Sequence, residues 1–247
     1  MIEEEIEIPA GEGATDAVLV RHEGGQPLQG VVYLTDIGGV RAANRRMARR
    51  LAEEGYTVLL PNVFYRTART PVWEGPRNMA DEAWKRRFAE LAGPLTPAAM
   101  ESDAGCYVDF LAAHAAAGKG GMGVVGYCIT GAMALRTAAV RPERVAAAAS
   151  FHGGGLWKAD PTSPHLVLPR VAARLYFGHA EDDHSMPASA IEHLDSALHA
   201  WGGSFESEVY AGAHHGWTAD DSPAYDPPQA ERAFTKLAEL FAATLRS

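Results

Sequence analysis

The chain has 247 residues, 47% of them hydrophobic and 21% charged, a balance that excludes a disordered or fibrous protein and predicts one well-cored domain over residues 1–247. Its 22 Lys and Arg against 31 Asp and Glu leave a net charge of −9, and no basic run is long enough to track phosphates, so nucleic acid is not an expected partner. No apolar stretch approaches the roughly 20 residues that cross a bilayer, and Met1-Ile2-Glu3-Glu4-Glu5 lacks the basic flank and apolar centre of a signal peptide, so the expectation is no membrane and a cytoplasmic location.

The first strand is predicted over 17–22 and the second over 31–35, which runs into Thr35-Asp36-Ile37-Gly38-Gly39. A helix over 44–54 leads to a strand over 57–61 and then to the longest early connection, 62–78, which contains Tyr65, Arg66, Trp73 and Arg77 and reads as a substrate-pocket wall. A helix over 97–115, opened by Pro97, carries Cys106 on its apolar face, where a cysteine behaves as a small inert hydrophobe. A strand over 121–126 meets a helix over 131–140 through Gly126-Tyr127-Cys128-Ile129-Thr130-Gly131. The strand over 145–151 is followed by His152 and by an irregular Gly- and Pro-rich stretch, 153–169. Strands over 173–178 and 204–210 flank a helix over 187–201, and a helix over 228–245 closes the chain. Alternating strands and helices predict an α/β fold, a mainly parallel central sheet with helices on both faces. Ligands gather outside the carboxyl ends of such strands.

Cys128 stands where a strand turns sharply into a helix, an arrangement that holds a nucleophile clear of its neighbours and aims the next N–H at a developing oxyanion. A free thiol is only a few per cent ionised at neutral pH, so it needs a base or a helix dipole nearby. Asp183 and His215 follow later apolar runs, in the order nucleophile, acid, histidine. His215 would take the thiol proton and later activate water, and Asp183 would hold the imidazole in the useful tautomer. The Ile129 N–H and the Ile37 N–H, on a loop whose glycines allow close backbone approach, would bind the oxyanion. Asp182 competes with Asp183, and His214 with His215; His215, directly before Gly216 and an aromatic residue, is preferred. His152 and His179 read as ordinary satisfied histidines. Two cysteines are too few for a disulfide scaffold, and both are expected as reduced thiols. A metal site from His152, His214 and His215 lacks ligand spacing, so neither a metal nor another cofactor is expected.

These segments resemble the dienelactone hydrolases (carboxymethylenebutenolidases) of the α/β-hydrolase fold. The resemblance rests on Gly126-Tyr127-Cys128, on Asp183-His184-Ser185-Met186-Pro187, on Tyr210-Ala211-Gly212-Ala213-His214-His215-Gly216-Trp217 and on Pro61-Asn62-Val63-Phe64-Tyr65, in that family's arrangement along nearly the whole chain. It implies Cys128 as nucleophile, Asp183 as acid, chosen by its distance to Pro187, and His215 as base. It also implies an acidic side chain engaging the thiol until substrate arrives; here that residue is Asp36, one methylene shorter than the prototype's Glu. The elbow reads Thr130-Gly131 where the family has a Gly-Gly pair.

The prototype places an arginine just beyond the catalytic histidine to grip a substrate carboxylate, whereas this chain has Thr218-Ala219-Asp220-Asp221. The acidic pair would repel a carboxylate, so either Arg66 or Arg77 takes over anion binding or the substrate is not a dienelactone. Tyr65, Trp73 and Trp217 are the expected aromatic lining. The expected activity is hydrolysis of a small-molecule carboxylic ester or lactone through a covalent thioester, by a monomer as the resemblance implies. The alternatives are a general small-ester or thioester hydrolase, and a catalytically silent ligand-binding protein on the same scaffold.

Overall fold

Runs such as Val31-Val32-Tyr33-Leu34 and Val58-Leu59-Leu60 are buried at every position, which requires a sheet covered on both faces. A computed structural model of the chain describes residues 1–24, 26–75, 77–78 and 80–245. Its strands are β1 (Ile2–Ala10), β2 (Gly13–Arg21), β3 (Gly30–Leu34), β4 (Thr57–Pro61), β5 (Met122–Tyr127), β6 (Val145–Phe151), β7 (Arg174–Asp182) and β8 (Phe205–His214). The helices are α1 (Ala42–Glu53), α2 (Glu82–Ala92), α3 (Pro97–Ala113), α4 (Gly131–Val140), α5 (Ala188–Trp201) and α6 (Pro227–Leu245). One eight-stranded sheet has the order β1-β2-β4-β3-β5-β6-β7-β8. From β4 to β8 all neighbours are parallel, and β1 and β2 pair antiparallel at one edge.

The period of two along each strand splits the interior into two cores. Val32, Leu34, Leu59 and Val124 face Met100, Leu111, Met133 and Leu194 of α3, α4 and α5. Val31, Tyr33, Val58 and Val125 face Leu51, Leu237 and Phe241 of α1 and α6. Each large apolar side chain so buried contributes about 1.5–3 kcal/mol before entropy is counted.

Several expectations needed extension. β1 had no counterpart in the sequence reading, because its isoleucines alternate with glutamates and only Ile8 and Ala10 are buried. Glu3 and Glu5 instead pair with Arg45 of α1, at 3.6 and 2.8 Å, as suits a charged edge strand. α2 is capped by Asp81, whose carboxylate accepts the Ala83 N–H at 2.8 Å. Part of the irregular stretch 153–169 is a 3-10 turn, Pro164–Arg170.

Between β5 and α4 the backbone turns left-handed at Cys128, with φ 59°. The Thr130 hydroxyl secures the turn. It lies 3.0 Å from the Leu34 and Tyr127 carbonyl oxygens and accepts the Tyr127 N–H at 3.0 Å, so it ties the turn to β3 as well. Thr130 therefore has a structural task that a glycine could not perform. Gly126 and Gly131 are required on either side: a Cβ at Gly126 would be driven into the Thr130 carbonyl, and one at Gly131 would lie 2.7 Å from the Gly153 Cα. Gly126→Ala is therefore expected to cost about 1–3 kcal/mol through overpacking. Thermal unfolding followed by circular dichroism checks this, and an unchanged Tm would show that the turn yields freely.

Candidate active site

Parallel strands point their carboxyl ends the same way, so β5, β7 and β8 deliver Cys128, Asp183 and His215 to one edge. His215 Nε2 lies 3.1 Å from Cys128 Sγ, and His215 Nδ1 lies 2.7 Å from Asp183 Oδ2. Cys128 and His215 are half-buried, and Asp183 is only 8% exposed.

The choice between neighbouring residues follows from where β7 and β8 end. Asp182 pairs across the sheet with His214, and their side chains meet at 3.1 Å while both remain exposed. Asp183 and His215 lie one residue past the ends of β7 and β8, where the chain turns their side chains toward each other at 2.7 Å. Ser185 completes the acid's surroundings: its N–H and hydroxyl donate to Asp183 Oδ1 at 2.8 and 2.6 Å. The sequence reading did not assign Ser185 a role, although Asp-x-Ser is the pattern of a local Asx turn.

Burial disfavours the His215 cation, but the hydrogen bonds of Asp183 and Cys128 and their negative charges outweigh it and raise the imidazole pKa to about 10. Burial likewise opposes the Asp183 carboxylate, and its bonds to His215 and Ser185 prevail, so its pKa is lowered. A thiol, an imidazole and a carboxylate in this chain can move a proton off sulfur and hold the resulting cation.

β3 and β5 are direct neighbours, with Leu34 beside Gly126, so the loop carrying Ile37 runs alongside the turn carrying Ile129. Asp36 does not reach the thiol as expected. Arg41 grips both its oxygens at 2.7 and 2.8 Å, and the Gly38 N–H donates to Oδ1 at 2.8 Å. Arg41 also binds Asp221.

Two expected wall residues lie elsewhere. Arg66 forms a fork with Asp103 at 2.6 and 3.0 Å, and Tyr65 donates to the same carboxylate at 2.9 Å while accepting the Glu12 N–H. Together they dock the β1–β2 turn on α3, because the wholly buried Asp103 carboxylate needs partners. Trp217 is also corrected: it is 0% exposed and packs on Tyr210 and His152, so it supports the site from within. His152 lies directly beneath His215, with ring centroids 5.1 Å apart. His179 is buried against Phe177, and its pKa is pushed down to about 4 by burial. Among the described residues no group of three or more His, Cys, Asp or Glu side chains could hold a metal ion.

Arg77 borders a cleft whose lining includes none of Cys128, Asp183 and His215. With Gly38, Arg41, Trp73, Gly75 and Asp221 it lines this cleft of about 310 Å3 beside the Ile37 loop. Pro76, inside the expected wall segment 62–78, lies outside the described residues.

The model of the dienelactone hydrolase family matches residues 15–245. The chain belongs to the dienelactone hydrolase family. It is 29% identical over 190 residues to a carboxymethylenebutenolidase of Rhodococcus opacus, covering 76% of this chain and 70% of that one. To a carboxymethylenebutenolidase of Pseudomonas putida it is 29% identical over 192 residues, covering 76% and 75%. Among solved structures, a dienelactone hydrolase-like promiscuous phosphotriesterase from metagenomic libraries shares the fold with a TM-score of 0.79 at 19% identity, over 99% of this chain and 98% of that one. No helix among the described residues is long and apolar enough to cross a membrane.

Against the family pattern, the acidic pair after His215 does not confront the cleft as free charge. Asp220 is gripped by Arg46 at 2.9 and 2.6 Å, and Asp221 by Arg41 and Arg77 at 2.6 and 2.9 Å. Burial raises the Asp221 pKa, but the two guanidinium groups outweigh it and lower the value to about 2. A carboxyl depressed from 3.8 contributes stability that is fully present above about pH 4 and is lost as the pH falls toward 2. Asp221→Asn is thus expected to lower Tm at neutral pH, with the gap to wild type closing between about pH 4 and pH 2. A Tm-against-pH series checks this; a constant gap would show that the carboxylate's charge is not what holds the cleft wall.

Proposed function

We propose that this chain hydrolyses a small carboxylic ester or lactone through a covalent thioester on Cys128. The observation that carries the reading is the position of His215, with one ring nitrogen on Cys128 and the other on the buried Asp183. Family membership supports the ester-hydrolase class.

In the proposed cycle His215 takes the thiol proton, and the sulfur attacks the substrate carbonyl. The N–H groups of Ile37 and Ile129 receive the oxyanion. As the tetrahedral adduct collapses, His215 Nε2 returns its proton to the leaving oxygen and the thioester remains. A water then gives a proton to the same nitrogen, attacks the acyl carbon and releases the acid, and the C–S electron pair returns to sulfur. In a lactone the leaving alkoxide stays tethered, so the product is one ring-opened hydroxy acid.

Arg77, in the cleft beside the Ile37 loop, is the group proposed to meet an anionic substrate, in place of the arginine missing after His215. Arg66 is not retained for this task, because Asp103 occupies its fork. The competing reading, a general esterase indifferent to carboxylates, is favoured by the partial neutralisation of Arg77 by Asp221.

The deciding experiment compares a dienelactone and p-nitrophenyl acetate as substrates for wild type, Cys128→Ala and Cys106→Ala. Cys128→Ala is expected to lose about 10^3-fold or more in kcat, whereas Cys106→Ala keeps wild-type rates. Preference for the dienelactone supports a lactonase with Arg77 in use, and preference for the aryl ester supports the general esterase. No turnover of either compound by folded wild type would sink the hydrolase reading in favour of a binding role.

A further inference from the structure

Among the described residues, two non-glycine residues have positive φ, Cys128 and His152. The first belongs to the turn already described. His152 is 2% exposed with φ 40°, a conformation that histidine tolerates better than most residues yet still at a cost. Its N–H donates to the Gly178 carbonyl at 2.8 Å, so the sheet carries the chain into the bend.

The bend places the ring edge-to-face under His215, with centroids 5.1 Å apart and planes at 63°. Trp217 and Tyr127 flank it at 5.1 and 5.9 Å. Its Nε2 lies 2.9 Å from the Thr218 hydroxyl, and its buried Nδ1 has no hydrogen-bond partner among the described residues. Burial first, and the His215 charge second, hold its pKa well below the ordinary histidine value. The titratable groups facing it are His215, Asp183 and Tyr127, and burial pushes the Tyr127 hydroxyl pKa well up. His152 is therefore an uncharged ring, as it must be beneath an imidazole that becomes a cation.

A strained backbone and an unpaired buried nitrogen both cost free energy, and what they secure is contact with His215. Torsion about the Cβ–Cγ bond of a histidine is soft. While the thiol is free, bonds at both ring nitrogens hold His215. Once Cys128 is acylated, the sulfur no longer serves as the second anchor, and the same ring must activate water.

We propose that His152 is a positioning residue: its ring fixes the plane of His215 during thioester hydrolysis, and Thr218 fixes the ring of His152. This rests on the reading of His215 as the base. It predicts that deacylation depends on His152 more than acylation does.

Stopped-flow kinetics with p-nitrophenyl acetate separate the two steps. His152→Asn, a residue that accepts positive φ, is expected to release one equivalent of p-nitrophenol at close to the wild-type rate. Its steady-state rate then falls about 10- to 100-fold, the effect of misplacing a catalytic group by an ångström or less. Thr218→Val, which keeps the ring, is expected to show the same split at a few-fold. Equal loss in both phases, or a folded His152→Asn with wild-type deacylation, would overturn the proposal. Should His152→Asn fail to fold, Thr218→Val decides alone, and unchanged deacylation in it overturns the proposal. His215→Ala is the separate control: turnover surviving in that variant would overturn the triad reading itself, and with it this one.

Discussion

The left-handed turn at Cys128 is the constraint around which the rest of this molecule is arranged. A residue with a side chain pays free energy to adopt φ 59°, and the turn survives because its surroundings leave the chain no alternative. On one side stands β5, buried along its length; on the other, α4 packs so closely that Gly131 nearly touches Gly153. Thr130 binds the turn to itself and to β3, so the segment carrying Cys128 and the segment carrying Ile37 are held as one unit. That linkage brings a sulfur and two prospective oxyanion donors to one edge without relying on a flexible loop.

Electrostatic pairing then sets the site's character. The chain carries a net charge of −9, yet the acidic groups around the cleft are compensated locally. Asp183 is held by His215 and Ser185, Asp36 by Arg41, Asp221 by Arg41 and Arg77, and Asp220 by Arg46. Compensation has two consequences. The guanidinium groups are held in place rather than sweeping through solvent, and their fields are reduced where they face the cleft. Arg77 is accordingly a positioned but partly neutralised cation, a compromise between orientation and strength. A second imidazole, His152, lies under the His215 ring, and its burial keeps it uncharged so that the two do not compete for a proton.

Much of the architecture was legible in the residues because it is encoded locally. The predicted strands at 57–61 and 145–151 coincide with β4 and β6, and the helix over 131–140 with α4; each is a run whose apolar pattern needs no distant partner to be read. The elements missed or shortened are those shaped by neighbours. β1 is half polar and exists because β2 offers it an edge, while β7 and β8 run on past their apolar stretches because they pair with each other as far as Asp182 and His214.

The candidate site divides along the same line. By itself the sequence determined the reactive residue types, their order along the chain and the sharp turn that presents Cys128, because glycine spacing and strand-to-helix transitions are properties of a short segment. For the two adjacent aspartates and two adjacent histidines, the sequence already favoured Asp183 and His215, and the tertiary structure supplied the reason. Asp182 and His214 pair with each other at the exposed strand ends, while Asp183 and His215 meet beside Cys128. Tertiary structure alone decided that Arg41 holds Asp36 away from the thiol, that Asp103 claims Arg66, and that Trp217 and His152 form the floor beneath His215. The partners lie far apart in the chain, Arg66 and Asp103 by 37 residues and His152 and His215 by more. Pairings of that kind belong to the packing of the whole fold, where a buried charge takes the nearest complement and a ring takes the nearest wall.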